Sequence, residues 1–266
     1  MSSSLPTELA ALLRTKRFGR TIRWSESTHS TNTEALAWAG QGAPEGAVLG
    51  TDHQTAGKGR LGRKWTDSPG HNLLFSVLLR PTLVSDQLGL IPLAAGLAVA
   101  EAIKGQTNLN TALKWPNDVQ IQNRKVCGIL MEGQLSAAPE SNKVMTLGIG
   151  LNVNQIEFAP EIAEYATSVA LEVGRLMPRA PLLAEILLRF EQRYTQLLAG
   201  DDHTIRSDFE EKMTRLGDHA SVHVANNTLP QSGRILGVDE YGALRLQTES
   251  GERRIYAGDV SLPASP

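Results

Sequence analysis

Apolar residues along the chain fall into strand-length runs and helix-period stripes, and give way near residue 217 to short alternating segments. Leu9, Leu12 and Leu13 predict one or two helical turns within an otherwise polar start. Thr31 followed three positions later by Glu34 has the form of a capping box, and predicts a helix through Ala35, Leu36, Trp38 and Ala39 that ends between Gly40 and Gly46. Residues 47–50 read as a strand, and 72–79 as a continuous apolar run of buried-strand length. Residues 88–104, rich in Ala and Leu, predict a helix that tolerates Pro92 in its first turn. Strands are expected at 113–115, 119–122, 125–132 and 144–153, with a turn at Gln122-Asn123-Arg124 and a polar loop at 137–142. Leu182, Ile186, Leu187, Phe190, Tyr194 and Leu197 form an amphipathic stripe over 181–198, and a further helix is expected over 201–216.

Beyond that point, runs at 220–224, 233–238, 243–247 and 253–256 alternate with the turn signals Asn226-Asn227, Asp239-Glu240-Tyr241-Gly242 and Ser250-Gly251. They predict a compact all-β barrel, so the chain divides into 1–216 and 217–266. A net charge of −2 gives no basic excess, which argues against nucleic acid as a partner. The single cysteine, Cys127, allows neither an internal disulfide nor a Cys-rich zinc site. No basic-then-apolar leader opens the sequence, and the apolar stretch 88–103 is expected to be too short and too interrupted to span a bilayer. The expected setting is reducing and cytoplasmic.

The chemistry concentrates in Gly57-Lys58-Gly59-Arg60-Leu61-Gly62-Arg63-Lys64-Trp65, four cations and no acid in nine residues. Such a segment repels itself unless an anion arrives, and its glycines let backbone N–H groups approach that anion. Two readings stand, a solvated basic loop and a phosphate cradle. Gly57-x-Gly59-x-x-Gly62 matches the dinucleotide fingerprint only as letters, because Arg63-Lys64-Trp65-Thr66-Asp67-Ser68-Pro69-Gly70 cannot continue as the required helix. Gly62-Arg63-Lys64 likewise lacks the Ser or Thr of a Walker loop. Trp65 is a purine-stacking platform or a core residue. Pro116-Asn117-Asp118 is turn chemistry that serves the turn alone, or presents Asn117 to a ligand and Asp118 to a hydrated Mg²⁺. Lys125 is an edge charge, or a cation for a transferring phosphoryl group.

Ser30-Thr31-Asn32, Gln54 with the Gly57 to Trp65 loop, Lys114-Trp115-Pro116-Asn117-Asp118, Lys125-Val126-Cys127-Gly128-Ile129-Leu130 and Gly148-Ile149-Gly150-Leu151-Asn152-Val153 follow in the order and spacing of one family. Together with the closing Ala257-Gly258-Asp259-Val260-Ser261-Leu262, they resemble the biotin–protein ligases over most of the chain, from about Thr28 onward. The resemblance implies an α+β fold: a mixed sheet with helices on one side, like the catalytic domain of class II aminoacyl-tRNA synthetases, and then an SH3-like barrel. It implies that Ser30, Thr31, Asn32 and Gln54 hold the ureido ring of biotin, with Lys58, Gly59, Arg60, Lys125 and Gly128 completing the biotin site. Lys58, Arg60, Arg63, Trp65, Asn117 and Asn152 are implied for the nucleotide, and Arg60, Lys125 and Asp118 for catalysis, with Asp118 holding Mg²⁺ through water. Many relatives carry Arg where this chain has Lys58, so a bidentate contact there is not carried over.

The implied reaction joins biotin to ATP as biotinyl-5′-AMP, releases pyrophosphate, and passes the biotinyl group to a lysine of a biotin carboxyl carrier domain. Too few residues precede the motifs for the DNA-binding domain of the repressor-type relatives, so a monofunctional ligase is expected, as monomer or homodimer. Lipoate–protein ligase is the nearest rival, but its Arg-Arg-x-Ser-Gly-Gly-Gly stretch has no counterpart here. A non-enzymatic nucleic-acid binder is the rival of another class, and the barrel lacks the interleaved aromatics it would need.

Overall fold

The computed structural model describes residues 4–134, 143–223 and 230–261. Strands β1 (Ile22–Ser25) and β2 (Val48–Thr51) pair in parallel. From β2 the sheet continues antiparallel through β3 (Leu73–Leu79), β7 (Val144–Leu151), β6 (Arg124–Gln134), β5 (Asp118–Ile121) and β4 (Ala112–Lys114), seven strands in all. A parallel pair needs a crossover, and the helix α2 (Thr31–Gly40) lies within it. The β5–β6 turn is a two-residue loop in which Gln122 and Asn123 both have left-handed φ (49° and 63°), the backbone of a tight hairpin.

Alternation along the strands sorts the side chains between two faces. Leu73, Phe75, Val77 and Leu79 of β3 enter the main core with Leu147, Ile149 and Leu151 of β7. Above them pack α3 (Leu90–Thr107) and α5 (Arg179–Leu198), flanked by α1 (Leu5–Leu12) and α6 (Asp202–Lys212). Leu78 points the other way, to Ala35, Trp38 and Ala39 of α2. The expectation of helices on one side is therefore corrected: α2 covers part of the opposite face, because the crossover between β1 and β2 passes there. The remainder of that face is left to the site.

Three further expectations change. Thr31 and Glu34 make no capping box: the N-cap is Ser30, without a side-chain cap bond, and Glu34 turns back to the Thr28 hydroxyl. Gln54 Oε1 instead accepts from the Thr31 N–H (2.9 Å), so the helix start is satisfied from the loop after β2. The stretch from Ser85 to Thr107 has the length and apolar composition of a membrane span, against expectation, but most of it is buried as the central helix of the core. The helix expected to reach 216 stops at Lys212, and left-handed Arg215 and Gly217 redirect the chain. The short α4 (Val169–Val173), started by Ser168 Oγ accepting from Leu171 N, and the strand β1 had no signal strong enough to be read.

A second, antiparallel sheet follows, ordered β11 (Gly251–Ile255), β10 (Leu244–Thr248), β9 (Gln231–Val238), β8 (His219–His223), β12 (Asp259–Ser261). The polar loop expected at 137–142 and the Asn226-Asn227 turn lie outside the described residues. The second sheet is tied to the rest of the fold by Trp115 Nε1, just past β4, donating to the carbonyl of Gly242 in the β9–β10 turn (2.9 Å), and by Val238 N of β9 donating to Glu210 Oε1 of α6 (2.7 Å).

Candidate active site

On the α2 side of the large sheet is a cavity of about 450 Å³. Strand register builds its floor. Lys114 pairs with Asp118, Asp118 with Gly128 and Gly128 with Gly150, which sets four residues of β4, β5, β6 and β7 in one cross-strand row. The two glycines leave a depression, and the Trp65 indole lies in it: a Cβ at Gly150 would come within 2.7 Å of the ring, and one at Gly128 within 2.9 Å. The Lys125 ammonium stands 5.7 Å from the centre of the same ring, a cation–π arrangement, and 2.6 Å from Asp118 Oδ1.

At one end, Ser30, Thr31 and Asn32 begin α2 and border the cavity with Gln54. Thr31 Oγ1 lies 3.2 Å from Gln54 Oε1 and 2.8 Å from the buried Ser76 Oγ, which is also 2.7 Å from Asn32 Oδ1. Asn32 Nδ2 donates to the Leu130 carbonyl (3.0 Å) and to Glu132 Oε2 (2.8 Å). Polar groups are thus gathered into an ordered set at this end.

The basic loop closes the cavity as a hairpin. Trp65 N donates to the Gly57 carbonyl (3.0 Å) and Gly59 N to the Arg63 carbonyl (2.7 Å). Arg60–Gly62 make a 3₁₀ turn, with Leu61 at φ 54° and Gly62 at φ 74°. Lys58 is 3.3 Å from Glu132 Oε1, and Arg63 is 2.8 Å from Asp259 Oδ2, whose other oxygen is 3.4 Å from Lys114. Arg60 Nη1 bonds to Asn117 Oδ1 (3.3 Å) and the Gly258 carbonyl (3.1 Å). Burial pulls the Arg60 guanidinium below its ordinary value, although Asp118 and Asp259 act the other way. Burial would raise the Asp259 carboxyl, but Lys114 and Arg63 outweigh it and hold it below the usual range. Burial pushes the Cys127 thiol far up, so it is no nucleophile at neutral pH.

Every residue to which the resemblance gave a site role borders this one cavity, from Ser30, Thr31, Asn32 and Gln54 through Lys58, Gly59, Arg60, Arg63 and Trp65 to Asn117, Asp118, Lys125, Gly128 and Asn152, whereas Gly57, Leu61 and Gly62 of the basic loop do not line it. Asn152 borders it with its amide N–H donated to the Thr167 carbonyl (3.0 Å). Four things were not foreseen as site elements. Glu132 and Asp259 supply the carboxylates that hold the hairpin, Lys114 joins them, and Phe158, Ile162, Tyr165 and Ala166 form a wall. That wall belongs to an irregular segment without periodicity, tied down by Lys125 N to the Tyr165 carbonyl (2.7 Å). Among the described residues, no group of three or more His, Cys, Asp or Glu side chains is placed to hold a metal.

Comparison with known proteins agrees in sequence and in shape. Residues 24–154 match the model of the biotin/lipoate A/B protein ligase family, and residues 223–262 match that of the biotin protein ligase C-terminal domain. The bifunctional ligase/repressor BirA of Bacillus spizizenii is 33% identical over 258 residues, covering 96% of this chain and 78% of the relative. The biotin–[acetyl-CoA-carboxylase] ligase of Mycobacterium tuberculosis is 33% identical over 263 residues, 93% of each chain. The structure of the biotin protein ligase from Aquifex aeolicus in complex with biotin and ATP superposes with a TM-score of 0.79 at 32% identity, over 92% of this chain and all of that one. With its glycine-floored cavity, cationic hairpin and second β-sheet, the chain belongs to the biotin–protein ligase family.

Proposed function

We propose that the cavity under the hairpin makes biotinyl-5′-AMP and holds it until an acceptor arrives. The chain is a biotin–protein ligase: it activates biotin with ATP, releases pyrophosphate, and transfers the biotinyl group to a lysine of a carboxyl carrier domain such as that of acetyl-CoA carboxylase. The observation that carries the site assignment is the convergence of Arg60, the Lys125–Asp118 pair and the Trp65 platform on the same enclosed space.

A carboxylate transfers its acyl group poorly because oxide is a poor leaving group, whereas AMP leaves readily from a mixed anhydride. Forming that anhydride brings the biotin carboxylate against the α-phosphate, anion against anion, and fixed cations lower the barrier. Arg60 and Lys125 take this part. The carboxylate oxygen bonds to phosphorus and pyrophosphate departs. Then an acceptor lysine amine, after losing its proton, attacks the acyl carbon and AMP departs. Ser30, Thr31, Asn32 and Gln54, with Gly128 close to the chain of the ligand, hold the ureido end. Trp65, Asn117, Asn152 and Arg63 receive the nucleotide. Lys58, Gly59 and Arg60 belong to the hairpin that keeps water from the anhydride. Asp118, paired with Lys125, would suit Mg²⁺ through water, since Mg²⁺ on a triphosphate needs one or two protein carboxylates and no cage. Mg²⁺ supplies neutralisation of phosphate charge.

We further propose two units, 1–216 with a class II synthetase-like catalytic fold and 217–266 as an SH3-like barrel, the latter supported by its five antiparallel strands. A monomer or homodimer without nucleic-acid partner, in the cytoplasm, suits the near-neutral charge and the buried free thiol. Biotin-dependent ATP–pyrophosphate exchange tests the first half-reaction, and streptavidin-detected labelling of a carrier domain tests the second. Exchange that proceeds without biotin, or with lipoate equally well, contradicts the assignment.

A further inference from the structure

We propose that Glu132 is a positioning residue that couples the α2 end of the cavity to the hairpin, and that Lys58 anchors the hairpin to it instead of binding the substrate anion. The inference rests on the biotinyl-adenylate reading of the cavity.

Glu132 lies on β6 with its two carboxylate oxygens divided between two structures. Oε2 accepts from Asn32 Nδ2 at 2.8 Å, and Oε1 is 3.3 Å from Lys58 Nζ. Asn32 is 3% exposed and wedged over Gly148, where a Cβ would come within 2.6 Å of Asn32 Oδ1. The two ends of a carboxamide have nearly the same shape, so its orientation comes from its partners. Glu132 Oε2 and the Leu130 carbonyl both accept, so the N–H₂ end of Asn32 turns to them and Oδ1 is left to Ser76, 2.7 Å away, and through Ser76 to Thr31 at 2.8 Å. Glu132 thereby shares with the Leu130 carbonyl in ordering the hydrogen bonds at the ureido end, and alone extends that order to the hairpin through Lys58.

The hairpin side follows from charge. Lys58 is matched by Glu132 and Arg63 by Asp259, while the side-chain bonds of Arg60 run to neutral groups, Asn117 and the Gly258 carbonyl. The fold supplies carboxylates where the hairpin must be held, and leaves the guanidinium of Arg60 for a substrate phosphate. A single carboxylate oxygen needs a point charge and no planar fork, which accounts for lysine at position 58.

The test uses the full chain and the variants Glu132→Gln, Glu132→Ala, Lys58→Gln and the Glu132→Gln/Lys58→Gln double. Readouts are biotin affinity by calorimetry, the rate at which preformed biotinyl-AMP escapes without acceptor, and melting temperature as a folding control. Glu132→Gln keeps an acceptor for Asn32 and loses the charge, so affinity should change less than about two-fold while escape quickens about three-fold, the scale of a partly exposed ion pair. The double variant should release no faster than either single. Glu132→Ala leaves one N–H of the buried Asn32 amide without its acceptor, the Leu130 carbonyl still holding the other, and should also weaken biotin by about ten-fold. Unchanged escape in Glu132→Gln, or single effects that multiply in the double, overturns the coupling. A wild-type chain that binds no biotin overturns the site reading as well, and is told apart because the variants then have no baseline.

Discussion

Gly150→Ala probes the floor of the site with one carbon. Gly150 sits in the central strand β7, opposite Gly128 on one side and Leu74 on the other. Its new Cβ would stand 2.7 Å and 2.8 Å from two ring carbons of Trp65. Carbon atoms settle at about 3.5–4.0 Å, so the indole must move outward by roughly 1 Å. Leu74 and the strand backbone stay, because Trp65 is only half-buried and is the part free to yield. Its backbone N–H closes the base of the hairpin on the Gly57 carbonyl at 3.0 Å, so the displacement passes to the hairpin. Overpacking of this kind costs about 1–3 kcal/mol. If about 1–2 kcal/mol of that falls on the nucleotide platform, KM for ATP rises about 5- to 30-fold. The assay is biotin-dependent ATP–pyrophosphate exchange, with biotin affinity and melting temperature measured alongside. Biotin affinity should be nearly unchanged, and Gly150→Ala should add nothing to a Trp65→Ala chain. An unaltered KM for ATP in Gly150→Ala, or full additivity of the two changes, would refute the role given to the indole.

Arg60→Ala should leave acceptor docking intact and release biotinyl-AMP into solution, read by chromatography of a reaction without acceptor; a variant that leaks nothing contradicts the assignment. Asp259→Asn should loosen the hairpin by removing the partner of Arg63 and Lys114, seen as faster tryptic cleavage after Arg60, Arg63 or Lys64. Because the Asp259 carboxyl is held below the usual range, the anchor is fully present above about pH 4, the ordinary aspartate value, and fails only as pH falls below it, so cleavage by an acid-tolerant protease should not rise between neutral pH and about pH 5. Glu191, 8% exposed, accepts the backbone N–H groups of Lys16, Arg17 and Phe18 at 2.7, 2.6 and 3.0 Å. Glu191→Ala orphans these donors and should cost about 2–4 kcal/mol, lowering the melting temperature by roughly 5–15 °C while sparing KM for biotin. Cys127 should resist thiol reagents in the folded chain, and Cys127→Ala should retain activity; rapid modification at neutral pH contradicts its burial.

Most of the large sheet could be read from the chain because buried strands leave long apolar runs: 72–79 and 144–153 lie within one or two residues of β3 and β7. The tight β5–β6 hairpin was legible for the same local reason, turn residues between two short runs. What failed was information held across the fold. Thr31 and Glu34 spell a capping box, yet Gln54, in the loop after β2, takes the Thr31 N–H first. The position of α2 on the opposite face depends on the parallel pairing of β1 with β2, and β1 is too short to announce itself. In the site, the residues of the basic loop declared themselves by charge without a counter-charge. Their partners did not: Glu132 lies 74 positions from Lys58, and Asp259 196 positions from Arg63. Gly128 and Gly150 could be seen as missing side chains on strands, but only the register shows that they face each other beneath Trp65.

A crystal structure of the chain grown with biotin and ATP tests the central claim most directly. It should show biotinyl-5′-AMP beneath the 57–65 hairpin, its ureido ring at Thr31 and Gln54, its phosphate between Arg60 and Lys125, and its adenine against Trp65. Density for the adenylate outside this cavity, with the hairpin turned to solvent and Arg60 touching no phosphate oxygen, would contradict the account.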